Sequence, residues 1–138
     1  MKQKFSHSWI ASKKPRKQRK YRYNAPLNIR HNLLSAHLSK ELRKKHNKRS
    51  IPLRKGDSVK ISRGQFKSKT GKIERVLLKR YKVYVTGAEH IKLDGSKSYY
   101  PIDPSNLIIT ELSTEDKKRS EILRRKHATT SIKSQNTK

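Results

Sequence analysis

Val59 and Ile61 alternate with Ser58, Lys60 and Ser62, the period-two pattern of a half-buried strand. Val83 and Val85 alternate with Lys82 and Tyr84 in the same way. Between them Ile73, Val76 and Leu78 break strict alternation, which predicts a strand carrying a bulge. Ile51-Pro52-Leu53 reads as an extended entry, and Asp94-Gly95, flanked by Ile91-Lys92-Leu93 and Tyr99-Tyr100, reads as a hairpin turn. Pro104-Ser105-Asn106 predicts a tight turn before a last strand from Leu107 to Leu112. Five short strands in about sixty residues, joined by short turns, predict a small barrel over residues 51–112. Its expected core is Val59, Ile61, Ile73, Val76, Val83, Val85, Ile102, Leu107 and Ile109.

The flanks follow other patterns. Leu27, Leu33 and Leu34, with Ile29 and Ala36 beside them, recur with helical period. Asn24-Ala25-Pro26 before them supplies an N-cap and a first-turn proline. Ser39-Lys40-Glu41 starts a second short helix that ends at His46-Asn47, where Asn suits a left-handed C-cap. Residues 24–50 are therefore predicted to hold short helices. Residues 1–23 show neither periodicity and predict an extended arm that orders on a partner. A final helix is predicted from Ser113, with Glu115 and Asp116 in its first turn. Only Ile122 and Leu123 are apolar in it, so the expectation is a poorly buried helix that frays into a disordered tail from about residue 128. The fold class is thus mainly β, a small barrel between a basic arm with short helices and a C-terminal helix.

Charge decides the partner. Lys and Arg number 37 against 10 acids, a net +27 over 138 residues. The imbalance is steepest in residues 1–50, where sixteen cations face one acid, Glu41. A chain this basic repels itself when free and settles on a polyanion, where neutralised phosphates release counterions. Nucleic acid fits better than a membrane surface, because no long amphipathic helix or apolar run of spanning length is present. The absence of cysteine rules out disulfides and thiolate metal sites. The six histidines are scattered without ligand spacing, so neither metal nor cofactor is expected. His31, His37 and His46 suit a polar face turned to RNA or solvent. The acids are isolated in turns and strands. Asp57 and Asp94 have turn roles, and no serine lies in a nucleophile elbow, so neither an enzyme nor a small-molecule substrate is indicated. Residues 1–20 lack the apolar stretch of a secretory signal. The acid-free run to residue 40 resembles a transit peptide only superficially.

Three constellations carry the candidate chemistry. Within residues 54–76, Gly56-Asp57 turns the chain into a strand, and Gly64 and Gly71 bracket a loop holding Arg63, Lys67 and Lys69. Glycine there permits a tight turn and close backbone approach to a phosphate. Arg54 and Lys55 precede it, and Phe66 suits the aromatic plug of a small barrel, with base stacking as its alternative use. In the arm, Lys13, Lys14, Arg16, Lys17, Arg19, Lys20 and Arg22 would track phosphates while Tyr21 and Tyr23 stack on bases. Arg30, His31, Arg43, Lys44 and Arg49 extend the candidate surface across the helical segment. Lys79 and Arg80, at a predicted strand turn, serve equally well as RNA contacts or as solvated charge guarding an edge strand.

The 54–76 cassette resembles the KOW motif, a hairpin of SH3-like barrels in ribosomal proteins and transcription elongation factors. The flanks K-P-R-K-Q-R-K-Y-R-Y-N-A-P-L-N-I-R, L-S-A-H-L-S-K-E-L-R-K-K-H, R-S-I-P-L-R-K-G-D and Y-Y-P-I-D-P-S-N-L-I-I-T-E-L are more specific. They resemble the large-subunit ribosomal protein L-twenty-four family of the archaeal and eukaryotic branch, L-twenty-six in eukaryotic naming. The likeness runs from about Ser12 to His127 and argues that the acid-free start is mature sequence; the first eleven residues, with Trp9, match nothing in it. The resemblance implies an SH3-like barrel and a cytoplasmic structural constituent of the large subunit. It further implies direct contact near the 5′ end of large-subunit RNA, a part in nucleating assembly, a position near the polypeptide exit tunnel, and ribosomal proteins as neighbours. Ser68 departs from the family's usual Gly, and a left-handed residue there costs Ser about 1 kcal/mol. A KOW-type transcription factor, binding RNA polymerase and nascent RNA, is the alternative; such factors carry an α/β domain ahead of the barrel, for which residues 1–50 show no strand pattern.

Overall fold

A computed structural model describes residues 3–125. Its centre is a bent sheet of six strands. In chain order these are β1 (Ser35–Leu38), β2 (Ser50–Pro52), β3 (Ser58–Ile61), β4 (Thr70–Leu77), β5 (Lys82–Val85) and, after a separate hairpin, β8 (Leu107–Glu111). The spatial order is β2-β1-β8-β3-β4-β5. The pair β1 and β8 is parallel, with His37 opposite Ile108, and the other pairs are antiparallel. The hairpin of β6 (Glu89–Ile91) and β7 (Lys97–Tyr99) turns at Asp94-Gly95, where Gly95 takes φ +77°.

The alternation read from sequence becomes the inward face. Val59, Ile61, Ile73, Val83, Val85, Leu107 and Ile109 are all buried. The bulge expected in β4 appears as a register shift between Ile73 and Arg75, and a second falls between Ser58 and Val59. Bulges sharpen local bend and twist, which lets so short a sheet curl round one core. An isolated bridge from Val83 to Ile102 helps close the barrel-like unit. Val76, expected inside, is only partly buried because it follows the bulge.

The segment expected to hold only short helices also contributes a strand. α2 (Leu27–Leu33) stops early, and Leu34, Ala36 and Leu38 join the core from β1 and the residue before it. Those three positions alternate, and on a helix Ala36 would face away from Leu34 and Leu38. Pairing with β2 and β8 decides between the periods. The N-cap of α2 is Pro26, while Asn24 ends the preceding helix. By contrast α3 (Lys40–His46) is as predicted, with the Ser39 hydroxyl accepting from Leu42 N–H and Asn47 left-handed at φ +51°.

The arm is not extended. A 3-10 turn (His7–Ala11) leads into α1 (Pro15–Asn24), with Pro15 in its first turn. Arg, Lys and Gln are good helix formers. The helix buries only Tyr21, so there was no apolar stripe to reveal it. A ten-residue helix is marginal alone. Here the Gln18 amide donates to the carbonyls of Trp9, Ile10 and Ser12, and Phe5 stacks on Tyr21 at 5.3 Å.

α4 (Lys117–Arg124) starts later than Ser113, capped by Asp116. It is better anchored than its two apolar residues suggested. Leu123 is buried in the core and Arg119 is buried against Asp57. The Asp57 carboxylate is fully enclosed and accepts from Arg119 Nη1 at 2.6 Å, Arg119 Nη2 at 2.7 Å, and the amides of Arg54 and Ser113. The tail expected from residue 128 lies outside the described residues.

Candidate nucleic-acid interface

The loop between β3 and β4 is set by its own backbone. Gly64 takes φ +92° and Ser68 φ +71°, and Ser68 N–H bonds back to Ile61 O at 2.8 Å. Phe66 folds inward, 8% exposed, against Tyr100 at 5.4 Å. It is the plug and has little face left for a base. Arg63, Lys67 and Lys69 stay exposed around it, with Lys69 Nζ 5.2 Å from the Phe66 ring. Gly71 has a different reason from the one read in sequence. It lies in β4, and a Cβ there would overlap the Thr86 carbonyl oxygen and lie 2.9 Å from Val85 Cγ1. The close approach it permits is to the neighbouring chain segment, not to a ligand.

A cationic cleft forms where α1 meets the β4–β5 turn. Tyr81 sits in that turn with left-handed φ +54°, and its hydroxyl donates to the Arg22 carbonyl. The guanidinium groups of Arg22 and Arg30 lie 5.2 and 5.9 Å from its ring centre, within cation–π range. Arg30 also donates to Ala25 O at 2.7 Å and Tyr23 O at 2.6 Å, a cation placed where the end of α1 presents free carbonyls. Arg19, Tyr23, Asn24 and Lys79 complete a cleft of ≈ 760 Å³, with Tyr23 81% exposed. Two constellations that looked separate in sequence, the arm and the Lys79-Arg80 turn, are therefore one surface.

The other predicted positions spread round the molecule. Lys13, Lys14, Arg16, Lys17 and Lys20 follow the α1 side, all at least partly exposed. Arg43 and Lys44 stand on α3 and Arg49 just after it, exposed; Arg43 Nε also donates to Leu38 O. His31, Arg54 and Lys55 meet at a second groove, where Arg54 pairs with Asp116 and Lys55 lies 3.6 Å from Glu74. The Lys118 amide, and after it Arg54, hold the Asp116 carboxyl below the usual carboxylate range. Tyr21 departs from expectation. At 4% exposure its ring is used by Phe5 and cannot stack on a base. Sequence reasoning missed Arg75, Tyr84 and Tyr99 beside the second groove and assigned Asp57 only a turn role. Outward alternation in β5 was the available signal for Tyr84; nothing local could have paired Asp57 with Arg119.

A barrel-like sheet with basic loops, extended by a cationic helix and holding its cations in open clefts, is the build of a small ribonucleoprotein component. Residues 12–126 match the model of a family described as the eukaryotic L26 and archaeal L-twenty-four ribosomal proteins, and the chain belongs to that family. It is similar to the large ribosomal subunit protein uL24 of Methanosphaera stadtmanae, 56% identical over 115 residues, which cover 83% of this chain and 98% of the relative. Membership makes the chain a structural constituent of the ribosome, with its place in the cytoplasm.

Proposed function

We propose that this chain is built into the large ribosomal subunit by direct contact with its RNA, through the α1 face, the α1–Tyr81 cleft and the β3–β4 loop. The carrying observation is the cleft. Arg19, Arg22, Arg30 and Lys79 converge from three elements on one concave surface, an arrangement that meets a bent run of phosphates better than solvent. Phosphate neutralisation supplies affinity, and the shape of the folded RNA supplies specificity. Family resemblance adds binding near the 5′ end of that RNA, help in nucleating assembly, a seat near the polypeptide exit tunnel, and ribosomal proteins as neighbours. The transcription-factor alternative calls for an α/β domain ahead of the barrel. Among described residues before Ser50 the single strand, β1, belongs to the barrel sheet itself.

Filter binding of the full chain to transcripts of the 5′ and 3′ portions of large-subunit RNA tests this. Preference for the 5′ transcript is expected, with log affinity falling by about 0.7–0.9 per phosphate contact for each tenfold rise in salt. A flat salt dependence would sink the electrostatic account, and equal binding of both transcripts would remove the 5′ assignment.

A further inference from the structure

The second groove differs in kind from the cationic cleft. It has a volume of ≈ 610 Å³, within the range of about 300–1,000 Å³ typical of small-molecule pockets. Its floor is apolar, from Leu53, Val76 and Leu78. One side is a pair of rings, Tyr84 of β5 and Tyr99 of β7, stacked at 5.7 Å and 29°. Tyr99 is 39% exposed, so the stack has an open end. Arg75 stands directly opposite Tyr84 across the β4–β5 ladder. Arg54 and Lys55 come from the segment before β3, and His31 from α2.

We propose that this groove takes one unstacked nucleotide of RNA, its base lying on the apolar floor against the Tyr84–Tyr99 pair and its phosphate met by Arg75, Arg54 and Lys55. The inference rests on the RNA-binding reading and adds a base-holding subsite to it. The occupant follows from charge and shape together. An apolar side chain of a neighbouring protein would fill the floor but leave exposed Arg75 unanswered, whereas Arg54 and Lys55 already have Asp116 and Glu74 beside them. A nucleotide carries both a π face and an anion, and aromatic platforms accept any base because every base has a π face. A paired duplex does not fit the role, since its bases are stacked inside the helix and must be splayed out to be held.

The test uses the full chain and a short single-stranded oligoribonucleotide with one central 2-aminopurine, alongside the same strand annealed to its complement. Binding of the single strand should quench the fluorescence, and the duplex should show much less quenching. Tyr99→Leu should abolish the quenching and weaken binding about tenfold. Tyr99→Phe should retain both, and Tyr84→Leu should behave as Tyr99→Leu wherever far-UV circular dichroism shows an unchanged fold. A Lys13→Ala/Arg16→Ala variant should weaken binding yet leave quenching intact at saturation. If Tyr99→Leu binds and quenches as the parent does while the arm variant still weakens binding, the groove assignment is overturned and the RNA reading stands. If neither RNA binds even at low salt, both fall.

Discussion

The barrel-like sheet and the N-terminal arm are both studded with cations, yet different forces hold them. In the sheet, Val59, Val83, Val85, Leu107 and Ile109 have no exposed surface, and burial of that apolar area fixes the shape. In the arm, α1 buries one ring, Tyr21, and is held by polar clips: Gln18 to three carbonyls and the Tyr81 hydroxyl to Arg22. The lesson is that charge density does not report how rigidly the charge is presented. The barrel offers Arg63, Lys67 and Lys69 from a fixed loop, whereas the arm offers Arg16, Arg19 and Arg22 from a helix attached at a few points.

Four changes break or sharpen this contrast, ranked by effect on folding stability. Arg119→Ala leaves the Asp57 carboxylate buried without its ion-pair partner. Urea unfolding should show a loss of about 3–5 kcal/mol, and a loss below about 1 kcal/mol would mean that Asp57 is solvated in its absence. Gly71→Ala drives a methyl into the Thr86 carbonyl, and overpacking of this kind costs about 1–3 kcal/mol; an unchanged thermal midpoint would show that β4 shifts freely. Ser68→Gly removes the left-handed strain at φ +71° and should stabilise by about 1 kcal/mol in the same urea measurement. Deleting residues 1–23 loses the Tyr81–Arg22 hydrogen bond, the Arg22 contact with the Tyr81 ring and the Arg30 bond to Tyr23 O, all at an exposed surface, so unfolding of the remainder should change by only about 1 kcal/mol. RNA affinity should nevertheless fall, with a shallower salt slope; unchanged affinity would show that the arm's charge is merely solvated.

Legibility in the sequence followed the same division. Strand positions came from period two because one face of each strand meets the core. The Asn47 cap was readable because its benefit is local, whereas the left-handed residue at Ser68 was signalled by the resembled family's usual Gly and not by any local pattern. The arm's helix was not readable: Lys-Arg-Gln runs suit helix and coil alike when no apolar stripe is buried. Tyr21 was assigned to RNA because an aromatic among cations looks the same whether its partner is a base or Phe5. The candidate surface was legible as a set of cations and illegible as an arrangement, since the cleft needs Lys79 beside Arg22.

The sequence alone determined the charge, the alternating strands, the β4 bulge, the caps of α3 and the Asp94-Gly95 turn. Each depends on interactions within a few residues, where propensity and spacing act directly. Only the tertiary structure decided that Leu34, Ala36 and Leu38 are barrel residues, that Asp57 locks α4 through Arg119, and that α1 docks on Tyr81. The latter two contacts join residues 62 and 59 positions apart. Their energies arise from desolvation and ring-to-cation geometry at a meeting point that no local pattern encodes.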